Sequence, residues 1–338
     1  MEGDIPDELD DLLFFVNILG DKPGQDQIER EAKFRNRKLD FSLEGTSSYD
    51  FAMAAWLHDW PNNKDILEAA YARAKIHSKS SYVYNPMLRD IRPKFINPSE
   101  QRLLMATDEL NEYFTVQEAL GKGTNIIKYD FDKEVWFLIR YPGQVVRHEG
   151  LDPDGNSTTH VFVPAEYDAV IYHKEFGDLR LNTNRGRDQP KYLETFGNLL
   201  FGEIDVFDRK AKMIHLNPLR GSCRHLFKNP QLFGLEDIYP VEVKFTTVSK
   251  SNLQHTYKAY ENITLWNSAD DDEHLLPKDT SSVATAKFRY RLLGRKEWGR
   301  VTVHEGRKMT YERDGDSSIL EDWLRRWNFV QNPHLVKG

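Results

Sequence analysis

Residues 158–207 read TTHVFVPAEYDAVIYHKEFGDLRLNTNRGRDQPKYLETFGNLLFGEIDVF. Three runs within them, Thr159–Val163, Ala169–His173 and Leu179–Thr183, carry the residue types that fit a pleated, half-buried surface. Phe176-Gly177-Asp178 separates the second run from the third, and its glycine supplies the positive φ of a tight hairpin turn. A helical pattern follows over Gln189–Leu200, with Tyr192, Leu193, Phe196 and Leu199 on one face. The stretch predicts antiparallel strands closed by a helix. That is the unit of an α+β body, not of a doubly wound nucleotide fold.

Towards the C-terminus the period of two recurs at Ala211–Leu216, Val241–Val248, Val283–Leu293, Arg300–His304 and Lys308–Glu312. Ser268–Thr280 is a polar loop and the best internal break. Ser318 and Glu321 have capping-box spacing and open a last helix, which buries Ile319, Leu320, Trp323, Leu324 and Trp327. Towards the N-terminus, Ile126–Phe131, Val135–Tyr141 and Gln144–His148 are strand-like; Pro142-Gly143 and Asp152–Gly155 supply turns. Before Gly121-Lys122-Gly123 the period is helical. Helices are expected over residues 5–18, Gln25–Arg37 and Tyr49–Trp60, which Pro61 stops. Another is capped by Asn63, and Ser99 caps one over Glu100–Leu120, after an extended connector Asn85–Pro98. The expected organisation is a helical N-terminal region, 1–121, and a mostly antiparallel β-rich body, 122–338, ending in a helix.

The 338 residues are 39% hydrophobic and 29% charged, with a net charge of −7, which argues against a bulk polyanion binder but permits a local basic face. Cys223 is the only cysteine, so intramolecular disulfides and multi-cysteine zinc sites are excluded. The start, MEGDIPDELDDLL, is acidic where a secretory leader is basic and apolar, and no run of 18 apolar residues occurs. Cytoplasmic residence without membrane association is the expectation.

Two segments resemble the motif pair of the PD-(D/E)xK nuclease superfamily: Gly202-Glu203-Ile204-Asp205-Val206 and Val241-Glu242-Val243-Lys244-Phe245. The resemblance spans about ten residues and implies an acid on one strand, Asp205, beside Glu242 and Lys244 on the next. Asp205 and Glu242 would hold Mg²⁺, Lys244 would position the attacking water, and Glu194 is the candidate for a helical glutamate. Within a strand Glu242 and Lys244 share one face. The same alternation is also that of an amphipathic strand with a solvated ion pair, and another predicted strand, Ala211–Leu216, intervenes.

On Val283–Leu293, Lys287, Arg289 and Arg291 alternate with Phe288, Tyr290 and Leu292; Arg295, Lys296 and Arg300 add charge beyond. This face could dock a phosphate backbone or an acidic partner, or simply be solvated. His148, His160 and His173 lie on neighbouring predicted strands, where imidazoles could converge on a metal or stand as ordinary strand histidines. His58-Asp59 shares its dipeptide with the HD hydrolases, whose further His and Asp have no counterpart at usable spacing. Cys223 has basic neighbours, Arg224 and His225, but no phosphate loop or GxSxG accompanies it.

Three functions follow as expectations. The first is a non-enzymatic binding or regulatory subunit with a protein partner and no cofactor or metal, in a cytoplasmic, prokaryotic multi-protein system such as antiphage defence. The second is a Mg²⁺-dependent nuclease using Asp205, Glu242 and Lys244. The third is a nucleic-acid-binding module using the Lys287–Arg300 face.

Overall fold

The computed structural model describes residues 7–333, apart from 35, 40–46, 60–64, 78–80, 89–93, 132, 152–154, 249–252, 260–264, 266–273 and 313–316. Pro61, Asn63, most of the Asp152–Gly155 turn and half of the Ser268–Thr280 loop lie outside these residues. Contacts divide the chain into Met1–Ser78 and Lys79–Gly338.

The first unit is helical: α1 (Asp7–Leu19), α2 (Lys22–Phe34), α3 (Ser48–Asp59) and α4 (Asp65–His77). Phe15, Leu19, Ile28, Trp56 and Leu67 form its core. Asp59 is a capping residue. Its buried carboxylate accepts the backbone N–H groups of Ile66 (2.8 Å) and Leu67 (3.1 Å), two of the unsatisfied donors at the start of α4. The His58-Asp59 dipeptide is therefore explained by helix capping.

The second unit is α+β. Its strands are β1 (Ser81–Pro86), β2 (Asn125–Asp130), β3 (Glu134–Pro142), β4 (Val146–Leu151), β5 (Ser157–Phe162), β6 (Ala165–His173), β7 (Asp178–Asn182), β8 (Leu235–Thr247), β9 (Gln254–Lys258), β10 (Thr280–Leu292), β11 (Trp298–His304) and β12 (Lys308–Tyr311). Ten pair antiparallel in the order β2-β3-β6-β7-β1-β12-β11-β10-β8-β9, while among the described residues β4 and β5 pair only with each other. Helix α5 (Glu100–Glu112) precedes β2 and is continued by a π-helical turn over Tyr113–Gln117. Helix α6 (Gln189–Phe201) follows β7, and α7 (Ser317–Arg326) follows β12. No helix among the described residues is long and apolar enough to cross a membrane.

The sheet is two meanders joined by one strand. β2-β3-β6-β7 ends in α6, β8-β10-β11-β12 ends in α7, and β1 pairs with the last strand of each. The two helices lie on opposite faces. Leu179 and Leu181 of β7 enter the core with Tyr192, Phe196 and Leu200 of α6, whereas Arg180, between them, bonds Glu321 of α7. Trp323 of α7 packs on Phe288 of β10, with ring centroids 5.6 Å apart.

Two expectations differ from what forms. Residues between 79 and 121 include β1, in the middle of the sheet, and α5, whose Ala106 and Leu110 enter its core, so the contact boundary falls earlier than the change of period at 121/122. Ala211–Leu216 forms no strand; Ile214 alone bridges Gly306 and Val330. Glu321 gives its carboxylate to Tyr84 and Arg180 of the sheet, and the Ser318 side chain of the expected capping box lies outside the described residues.

Candidate functional site

The turn at Gly177, with φ +63°, places Asp178 at the start of β7 directly opposite His173 of β6, and His173 directly opposite Glu134 of β3. Two residues further along, Arg180 stands between Ile171 of β6 and Tyr84 of β1. Because side chains repeat every second residue along a strand, Glu134, His173, Asp178, Arg180 and Tyr84 all project from the face that α7 covers. Helix α7 adds Glu321 and Arg325, one turn apart, and β12 adds Tyr311.

Arg180, 2% exposed, is the centre of this cluster. Its Nη1 donates to Glu321 Oε1 at 2.7 Å, its Nη2 to Glu134 Oε1, and its Nε lies 3.6 Å from Asp178 Oδ2. Arg325 Nη2 donates to Asp178 Oδ1 at 2.9 Å and approaches Glu321 Oε2 at 3.5 Å. The hydroxyls of Tyr84 (2.6 Å) and Tyr311 (3.2 Å) donate to Glu321, and Trp136 Nε1 to Glu134 (2.7 Å). His173 Nδ1 accepts the backbone N–H groups of Glu175 and Phe176, both at 3.3 Å, which puts the proton of the neutral ring on Nε2.

Burial and pairing compete within this cluster. Burial raises the Glu321 carboxyl above its ordinary range in spite of both arginines. It acts upward on Glu134 too, but there Arg180 and the bonds from Trp136 and Arg180 prevail and the carboxyl is held low. Burial works against the charge on Arg180, and Glu134 and Glu321 outweigh it. His173 is lowered, chiefly by burial. Carboxyls pushed in opposite directions beside a neutral imidazole are a pattern that marks functional sites, and structural ion networks share it. A cleft of about 370 Å³ opens here, lined among others by Phe131, Glu134, His173, Phe176 and Arg325. Phe176 lies under Arg325, 4.0 Å from its guanidinium, and 4.4 Å from the His173 ring. Each arginine is held by two or more carboxylates, so the cluster fastens α7 to the sheet.

The residues expected from sequence fall elsewhere. Glu242 and Lys244 lie on β8, whose two edges are occupied by β9 and β10. Asp205 is exposed in the segment after α6, on no strand, so the adjacent-strand arrangement that the nuclease resemblance implies does not form there. Glu242 pairs with Lys287 at 3.3 Å, and Glu194 with Lys191 at 3.5 Å. Among the described residues no group of three or more His, Cys, Asp and Glu side chains is arranged to hold a metal. His148 and His160 are backbone register partners in the β4–β5 hairpin, while His173 is in the ten-stranded sheet. Cys223 is buried, and burial pushes its thiol up to about 11, opposite to what a nucleophile requires.

The basic strand forms as expected but is not bare. Lys287 pairs with Glu242, Arg291 with Asp237 (2.9 Å) and Glu236 (3.1 Å), and Arg300 with Glu312 (3.7 Å). Arg289 and Arg291 lie over the ring of Trp298, at 4.5 and 4.9 Å. Arg295 and Lys296 are exposed in the turn between β10 and β11.

No known family profile matches the chain, and no curated protein matches it. Among solved structures the chain is similar to DynU16, a protein of the dynemicin biosynthetic locus, at 10% identity over 75% of this chain and 95% of that one, with a TM-score of 0.14.

Proposed function

We propose that this chain is a cytoplasmic binding or regulatory subunit that works through a protein partner within a prokaryotic multi-protein system. The β4–β5 hairpin carries this reading. Among the described residues its strands pair with nothing but each other, and a two-stranded ribbon has little stability of its own in water. Val146 stands opposite Phe162, so Val145, Val161, Phe162 and Val163 lie at one end of the ribbon, with Val161 and Phe162 on its two faces; all four are exposed, at 47–66%. Clustered exposed apolar side chains of this kind mark interaction sites. Gly143 anchors that end: it donates to Pro164 O at 2.7 Å, and a Cβ on it would come within 2.8 Å of the Glu166 side chain. The mutual pairing of the buried charges supports the same reading, since it gives them a role in holding the fold.

The test is a Val161→Asp/Phe162→Asp variant of the full chain. A partner that co-purifies in fixed stoichiometry with the wild-type chain, confirmed by reconstitution from purified components, should be lost. The melting temperature should barely move, because exposed positions cost within about 0.5 kcal/mol. Metal-dependent cleavage of DNA or RNA by the purified chain, abolished by Lys244→Ala with the fold intact, would replace this reading with the nuclease.

A further inference from the structure

The face of the second meander that α7 leaves uncovered has a charge opposite to that of the whole chain. Register places Lys244 beside Thr285, Lys287 between Glu242 and Thr302, Arg289 between Tyr239 and Arg300, and Arg291 between Asp237 and Trp298. Across β9, β8, β10, β11 and β12 the cations of this face outnumber its carboxylates by seven to four, in a chain whose net charge is −7. The β10–β11 turn adds Arg295 and Lys296 against Glu297. At the end of this face next to the β10–β11 turn lie two half-buried aromatic rings, Tyr239 and Trp298, with centroids 5.5 Å apart, and the guanidinium groups of Arg289 and Arg291 lie over Trp298 at 4.5 and 4.9 Å.

We propose that this open face binds single-stranded nucleic acid, independently of the hairpin. A cationic surface attracts any polyanion through counterion release. The two rings, with the guanidinium planes of Arg289 and Arg291 laid over Trp298, add what only unpaired bases can use, a platform for stacking their π-faces. An acidic polypeptide would use the charge and leave the rings idle, and a duplex keeps its bases stacked on one another.

The experiment is fluorescence anisotropy of the full chain with labelled dT20 and rU20, against the matching duplex and polyglutamate, over a salt series. We expect a Kd on the order of 1–100 μM for the single strands at low salt, weakening as salt rises, with the duplex and polyglutamate bound at least about tenfold less tightly, the range one stacked base supplies. Trp298→Ala should weaken single-strand binding about tenfold. Lys244→Glu/Arg300→Glu, two substitutions on the solvent side of the sheet, should reduce both the affinity and its salt dependence, and this keeps the test open if Trp298→Ala does not fold. Absence of binding at low salt overturns the proposal, as does polyglutamate binding as tight as dT20, or wild-type affinity in the charge-reversed variant. None of these results bears on the hairpin, whose test reads a different loss.

Discussion

Asp178-Leu179-Arg180-Leu181 on β7 and Arg289-Tyr290-Arg291-Leu292 on β10 are the same kind of sequence, charge alternating with apolar side chain. Arg180 is closed in beneath α7 with three carboxylates around it, while the Arg291 side chain keeps 28% of its surface and meets carboxylates at the edge of solvent. Alternation establishes that a strand has two unlike faces. It does not say whether the polar face meets water or a second layer, and that difference changes what an arginine is worth by several-fold.

The same substitution in both places should have very different costs. Arg180→Met leaves Glu134, Asp178 and Glu321 buried without their central partner, and should cost about 3–5 kcal/mol in urea denaturation. Arg291→Met should cost about 0–1 kcal/mol. Equal losses would mean that the cluster is no more than a surface network.

Trp323→Ala probes the layer that causes the difference. The ring is fully buried against Phe288 and Phe329, and its removal should cost about 3 kcal/mol or more. If stability is unaffected, α7 does not hold the sheet.

The stability of the two faces should also respond differently to pH. His173 titrates below its ordinary 6.5, chiefly because it is buried. It stays neutral in the folded chain while the unfolded chain takes up a proton, so its contribution is complete above about pH 6.5 and is lost as pH falls through the folded value. Glu134, also lowered, acts in the same sense at lower pH; Glu321, raised, contributes at low pH and loses that contribution as pH rises. His173→Gln should therefore flatten the rise of stability with pH below 6.5. His304→Gln should do so less, because that ring, lowered by burial and by Lys308 and Lys244, is only half-buried. A larger effect at His304 would reverse the ranking of the two faces.

The smallest effect is a double-mutant cycle on Lys287 and Glu242. A pair this exposed should couple by about 0.2–1 kcal/mol and lose most of that in 1 M salt, where Arg180 and Glu321 should remain coupled.

Much of the sheet was legible because its strands follow residue type closely. The β6–β7 hairpin, the β10–β12 meander and both long C-terminal-half helices fall where alternation, Gly177 and helical spacing put them. β1 was not legible, because Tyr82, Val83 and Tyr84 are a short run between polar residues and a proline, and only two flanking strands make them a strand. β9, Gln254–Lys258, is almost wholly polar and is a strand only because β8 offers it an edge. Ala211–Leu216 had the alternation but found no partner strand beyond single bridges.

The candidate site was hidden for the same reason. The cluster is drawn from three segments distant along the chain, Glu134, then His173 to Arg180, then Glu321 and Arg325, and each residue has the local spacing of a solvent-facing one. The sequence by itself determined the α+β class, the antiparallel meanders and the positions of the main helices, because periodicity, turn residues and caps act over a few neighbouring residues. Only the tertiary structure decided that β1 joins the two meanders, that α6 and α7 take opposite faces, and which charged face is buried. Those outcomes depend on pairing register and layer packing between distant segments, where the free energy lies in contacts that no local pattern encodes.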